Sequence, residues 1–219
     1  MFIYKRSTIV PQKEHSRLSA TIASFWGNKN FKAPNIPTES FIKGIMFHDR
    51  GFGVYDTDNL MKLSKAARDR TLSEGIRKTT DDPAADIITL RHICCILKMY
   101  SKNETGKLLA ICEKAISLKM KKVKIQEKEF DFAEDITNFV DDISFDFSQG
   151  KSSSWSAMIK ANSNSKNKTK FTCTIKGDKI RIRPWPLSID HYTGSIVGYS
   201  KKGYPKKLNP KIIQFTLTK

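Results

Sequence analysis

Phe171-Thr172-Cys173-Thr174-Ile175-Lys176-Gly177-Asp178-Lys179-Ile180-Arg181-Ile182-Arg183 is the stretch that decides the fold. Phe171, Cys173 and Ile175, then Ile180 and Ile182, place apolar side chains at every second position around Lys176-Gly177-Asp178-Lys179. Side chains of a strand alternate between two faces, so this period of two predicts a β-hairpin. Pro184-Trp185-Pro186 ends it, and residues 195–199 and 211–217 read as two more strands. Upstream, the composition shifts at residue 149. Gln149-Gly150-Lys151-Ser152-Ser153-Ser154 opens a polar stretch, and residues 162–170 are rich in Ser, Asn and Lys. Between them, Trp155, Met158 and Ile159 fit a short helix or strand.

Before residue 149 the period is helical. Residues 1–10 read as a short strand or extended arm. Leu18, Ile22 and Phe25 predict a helix over 12–26, stopped at Gly27. Thr38 is placed to cap a second helix, in which Phe41, Ile45 and His48 share one face. Gly51 and Gly53 end it, and 59–70 reads as another helix. Over 83–101, Ile87, Leu90, Cys94 and Leu97 form one apolar stripe, and Ile88, His92 and Cys95 an adjacent one. That helix is expected to be buried on two sides. Helices follow over 104–120 and 128–147. In the last, Phe132, Ile136, Phe139, Ile143 and Phe147 form the apolar face, with Thr137, Asp141 and Ser144 beside it. The expected fold class is α+β: a mainly helical domain, 1–149, with a small C-terminal antiparallel β unit, 150–219, packed on it.

The composition bounds the chemistry. A chain of 219 residues with 39% hydrophobic content can build one real core. It has no apolar run long enough to span a bilayer, and Met1-Phe2-Ile3-Tyr4-Lys5-Arg6 does not start a secretory leader, so a cytoplasmic protein without a membrane partner is expected. Cys94, Cys95, Cys112 and Cys173 include no Cys-x-x-Cys pair, which points to reduced thiols rather than a zinc knuckle. Phosphate-cradling Gly-rich loops and the Gly-x-Ser-x-Gly elbow are also missing. The net charge is +17, and residues 151–219 hold 15 Lys or Arg against 2 Asp or Glu. Such asymmetry favours a phosphorylated small molecule or nucleotide, or alternatively nucleic acid.

Four residues carry the most coherent chemistry: His15, the adjacent His48-Asp49 in Phe47-His48-Asp49-Arg50-Gly51, and Asp141. Two imidazoles and two carboxylates make a mixed N and O ligand set for a divalent transition metal. His48 points inward on its helix, and Asp49 follows where the helix ends. Asp141 flanks the apolar face of the last helix, with Asp142 and Asp146 as competitors. His92 lies among buried residues and suits an outer partner, a fifth ligand or a general acid. Arg50 and Arg91 are the nearest cations in sequence and suit a phosphate. Trp185, after Arg181 and Arg183, reads either as an anchor for the β unit or as an aromatic-basic nucleic-acid surface.

The order His15, His48-Asp49, Asp141 resembles the HD-domain superfamily of mostly metal-dependent phosphohydrolases. A closer resemblance is to the domain of unknown function 3891 family. It is carried by Pro11-Gln12-Lys13-Glu14-His15, Phe47-His48-Asp49-Arg50-Gly51-Phe52, Phe139-Val140-Asp141-Asp142-Ile143-Ser144-Phe145 and Arg183-Pro184-Trp185-Pro186. The resemblance implies an HD-like helical fold with His15, His48, Asp49 and Asp141 as ligands to one or two ions of Mn, Fe, Co or Zn. It implies hydrolysis of a phosphate ester or nucleotide, with Asp49 and His92 in catalytic roles and Arg50 and Arg91 on the substrate. One departure is Phe52 after Gly51, where many superfamily members carry Lys. That leaves two alternatives: an HD-type di-iron oxygenase, and a non-catalytic HD-like scaffold that binds nucleic acid through its basic C-terminal part.

Overall fold

The structure, a computed structural model, describes residues 1–52, 63–100 and 106–219. Its strands are β1 (Phe2–Tyr4), β2 (Thr8–Val10), β3 (Ser153–Lys160), β4 (Lys168–Lys176), β5 (Lys179–Arg183), β6 (Tyr192–Ser200) and β7 (Pro210–Thr218). All seven join one sheet in the order β1-β2-β6-β7-β5-β4-β3. This corrects the expected mainly helical domain with a small antiparallel unit. The sheet is a major layer, it takes strands from both ends of the chain, and it is mixed.

The reasons lie in tertiary pairing. The N-terminal arm becomes a β1–β2 hairpin, and β2 then pairs with the far end of β6 through Thr8↔Ser200 and Ile9↔Tyr199. Two three-residue strands are too short to show a period, and nothing local names so distant a partner. After the hairpin, β7 inserts between β6 and β5 and runs parallel to β5. The expected hairpin itself is present, with Ile175↔Ile180 and Lys176↔Lys179 in register. Gly177 sits at φ +65, a left-handed conformation that a residue without Cβ adopts at little cost.

The helices are α1 (Gln12–Ser24), α2 (Thr38–Met46), α3 (Lys65–Arg77), α4 (Pro83–Tyr100), α5 (Gly106–Met120) and α6 (Glu127–Ser148). Pro37, not Thr38, takes the cap position of α2, and no side chain caps that helix. The helix expected over 59–70 starts later, where Ser64 Oγ accepts the Ala67 N–H. Gly53 and residues 59–62 lie outside the described residues. The apolar face of α6 is wholly buried against the sheet, with Phe147 against Phe215 at 5.9 Å and Phe139 against Phe171 at 5.7 Å between ring centres. Helix α1 packs beside α6 and presents Trp26, just past its end, to Phe139 and Phe171. Helix α4 is buried on two sides, as its stripes predict. Ile87 and Ile88 join the main core, while Leu90, Ile93, Cys94 and Leu97 join a second cluster with Leu72, Ile76 and Cys112. All four cysteines are free thiols. Trp185 is half-buried against the main core, and its indole N–H donates to the Ile189 carbonyl. Among the described residues, no helix is long and apolar enough to cross a membrane.

Candidate metal centre

Three helices and one helix end converge behind the sheet. Helix α1 brings His15, the turn after α2 brings His48 and Asp49, α6 brings Asp141, and α4 adds His92. The four residues expected as ligands are therefore brought together, and His92 joins them. His15 Nε2 lies 2.6 Å and His48 Nε2 3.0 Å from Asp141 Oδ1. The two Nε2 atoms are 3.2 Å apart. Asp49 Oδ2 stands 3.4 Å from His48 Nε2 and 3.6 Å from His15 Nε2. His92 Nε2 is 3.6 Å from Asp141 Oδ2. With ligand bonds of about 2.1 Å, neighbouring donors on one ion stand about 3.0 Å apart in an octahedron and about 3.4 Å apart in a tetrahedron. The observed separations fall around the edges of such polyhedra.

The other ring nitrogens are tied down. His48 Nδ1 is 2.7 Å from the Ile45 carbonyl oxygen, which as an acceptor requires the proton on Nδ1. His15 Nδ1 meets Ser144 Oγ at 2.8 Å, and Ser144 in turn meets Ser19 Oγ at 2.6 Å. His92 Nδ1 lies 3.2 Å from Asn138 Oδ1. Gln12 Nε2 donates to Asp49 Oδ2 at 2.8 Å. Fixing one ring nitrogen sets the rotamer and turns the other, with its lone pair, toward the shared centre. Ser144 is already placed beside Asp141 by the helical period, whereas Gln12 and Asn138 carry only a spacing signal: Gln12 precedes His15 by three, and Asn138 precedes Asp141 by three on one helix face.

The electrostatics favour positive charge in the cluster. Burial pushes the His48 imidazolium down, but the Asp49 and Asp141 carboxylates outweigh burial and hold it well above its ordinary value. Burial likewise pushes Asp141 up, and the His48 and His92 rings outweigh it, leaving Asp141 well below the usual carboxylate range. Asp49 is lowered by His48 and His15 against its own burial. His92 is lowered, chiefly by burial. The side chains of His15 and His48 are 1% and 0% exposed, while Asp141 keeps 21%, so the cluster is sealed except on the Asp141 and Asp49 side.

The guanidinium groups of both arginines are held by partners outside the cluster. Arg50 donates from Nε to the Gly75 carbonyl and from Nη1 to Asp86, and its side chain is 6% exposed. Arg91 is clamped on the outer side of α6 by Asp131, Glu134 and Glu127. Neither guanidinium reaches the cluster. A cleft of about 550 Å³ beside Asp49 is lined by Arg50, Lys13, Ser16, Met46, Phe47 and Lys78, among others. His191 is exposed and belongs to neither group of converging donors. Gly51 lies under α3, where an added Cβ would overlap the Thr71 carbonyl oxygen. Gly51→Ala is therefore expected to destabilise the fold by about 1–3 kcal/mol in urea denaturation, since backbone must move to relieve the overlap.

The family described as "Protein of unknown function (DUF3891)" has a model that matches residues 3–199. The chain belongs to that family. The match runs from the second residue of β1 to the last but one of β6, and so takes in every residue of the cluster. Searches of the curated proteins and of the solved structures return no match.

Proposed function

We propose that this DUF3891 member is a metal-dependent hydrolase of a phosphate ester or nucleotide, built around an HD-like centre. The observation that carries the reading is the convergence of three imidazole Nε2 atoms on two carboxylates, with every Nδ1 anchored. His15, His48, Asp49 and Asp141 would hold one or two ions of Mn, Fe, Co or Zn, and His92 completes the donor set. Nitrogen and oxygen donors together favour these metals over calcium. When bound, such an ion supplies Lewis-acid charge to a phosphoryl oxygen and lowers the pKa of water.

The chain's own groups do the rest. Asp49 belongs to both the cluster and the cleft, so its carboxylate is placed to accept a proton from a nucleophile arriving there. Gln12 holds that carboxylate in place. Lys13 and Lys78 line the same cleft, as Arg50 does, and are placed to bind the phosphate there. Lys13→Ala and Lys78→Ala are each expected to raise KM about tenfold with kcat nearly unchanged, because each removes ground-state and transition-state binding alike.

A screen of phosphomonoesters, cyclic nucleotides and nucleoside triphosphates, with Mn, Fe and Co, tests the reading. Turnover abolished by Asp141→Ala supports it, and a fully metallated protein without turnover refutes it. One feature favours a second reading: the cleft also holds Met46 and Phe47, and Phe52 stands where a phosphate-binding Lys is common in the superfamily. An iron-loaded protein that consumes dioxygen with an organic substrate would make it an HD-type oxygenase.

A further inference from the structure

The sheet has a second face. Phe171, Cys173, Ile175, Ile180 and Ile182 point into the core, so the alternate positions of β4 and β5 point to solvent. There Lys176, Lys179, Arg181 and Arg183 line a groove of about 330 Å³. None of these four cations has an ion-pair partner among the described residues. Lys176 and Lys179 are directly opposed across the hairpin, an arrangement that costs stability unless something negative covers it.

Hydroxyls complete the face in rungs. Ser154 Oγ meets Thr174 Oγ1 at 3.2 Å, and Thr174 is in register with Arg181, which is in register with Thr218. Ser156 Oγ meets Thr172 Oγ1 at 3.1 Å, and Thr172 is in register with Arg183. Each rung thus runs hydroxyl, hydroxyl, guanidinium across strands about 4.8 Å apart. Guanidinium forks and hydroxyls together are the groups that bind phosphodiester oxygens.

We propose that this face is a docking surface for a nucleic-acid duplex, held through its backbone phosphates. It is independent of the metal centre. A duplex fits better than a single strand because no aromatic ring lines the β4–β5 groove for bases to stack on. Trp155 and Phe171 both turn inward, onto Phe139 at 5.4 and 5.7 Å. A membrane fits less well because the strands expose just two large apolar side chains, Met158 and Ile212, and isolated side chains make no insertion wedge. The contacts touch no base edge, so binding is independent of sequence.

The test is titration of the full-length protein with a fluorescent 20-base-pair RNA duplex, a DNA duplex, the matching single strand and phosphatidylserine vesicles. Four phosphate contacts give a slope of log K on log salt of about −3.6 for duplex, or about 600-fold weaker binding between 50 and 300 mM salt. The double variant Arg181→Ser with Arg183→Ser is expected to bind on the order of 50-fold more weakly at 100 mM salt, with the slope reduced by about 2. Lys121→Ser with Lys122→Ser, the same charge change just past α5, should leave binding within about twofold of wild type by the same counting. Unchanged melting temperature and metal content in both variants keep folding out of the comparison. Equal weakening by the two pairs would overturn the proposal in favour of net charge alone. Absence of duplex binding at 50 mM salt, or binding confined to the single strand or to vesicles, would overturn it as well.

Discussion

Saturating manganese or cobalt is expected to raise the melting temperature of the wild-type protein by roughly 8–16 °C, and that of His48→Ala hardly at all. An ion held at about a thousand times its Kd stabilises the folded state by about 4 kcal/mol, and each kcal/mol is worth roughly 2–4 °C in a chain of this size. His48 is the centre's least replaceable donor. It lies within 3.4 Å of His15, Asp49 and Asp141 alike, it is fully buried, and its Nδ1 is anchored on the Ile45 carbonyl. Its loss leaves donors that no longer surround an ion. Differential scanning fluorimetry with and without metal makes the comparison, and equal rises in wild type and variant would place the ion elsewhere.

The second large effect concerns a residue outside the centre. Asp86→Ala is expected to destabilise the fold by about 3–5 kcal/mol, the usual cost of removing one partner from a buried ion pair. Asp86 is 0% exposed and receives Arg50 Nη1 at 2.5 Å, Lys119 Nζ at 2.7 Å and the Thr80 N–H at 3.1 Å. It therefore ties the turn after Asp49 to α4, α5 and the segment before α4. Without it, the Arg50 and Lys119 charges stay near an apolar interior with no counter-charge. Burial pushes the Asp86 carboxyl up, and Lys119 and Arg50 outweigh burial and hold it below its ordinary 3.8. A carboxylate lowered by folding contributes stability above its unfolded value and loses it as pH falls through the folded one. Urea denaturation should thus show the full deficit of Asp86→Ala at pH 7 and a smaller one once the pH falls below the carboxyl's ordinary 3.8. A deficit under about 1 kcal/mol at pH 7 would mean that water replaces the carboxylate at no cost.

The candidate centre was more readable from the sequence than the fold around it. His15 and Asp141 lie on helices with long apolar stripes, and His48 and Asp49 follow in the turn just past α2, although the sequence reads His48 as still on that helix. Helical periodicity is a local property, and so the inward turn of His48 or the flanking place of Asp141 is written nearby. The ion-pair partner of Arg50 is hidden from the sequence for the same reason in reverse. Its neighbour in sequence is Asp49, but its partner is Asp86, which reads as an ordinary first-turn acid of α4. The sheet was underestimated because β1 and β2 carry three residues each, and because parallel β5–β7 pairing depends on where a distant strand inserts. The hairpin from Phe171 to Arg183 was plain, yet its period of two tells which side chains are buried and not how many strands lie beside them.

Metal analysis of protein purified without chelator tests the central claim most directly. Inductively coupled plasma mass spectrometry of wild type and of Asp141→Ala, each reconstituted with Mn, Fe, Co or Zn and desalted, should give about one to two ions per wild-type chain. Asp141→Ala should fall to a small fraction of that value while its circular dichroism is preserved. A folded wild-type protein that retains none of the four metals, or an Asp141→Ala protein that retains as much as wild type, would contradict the metal centre formed by His15, His48, Asp49, His92 and Asp141.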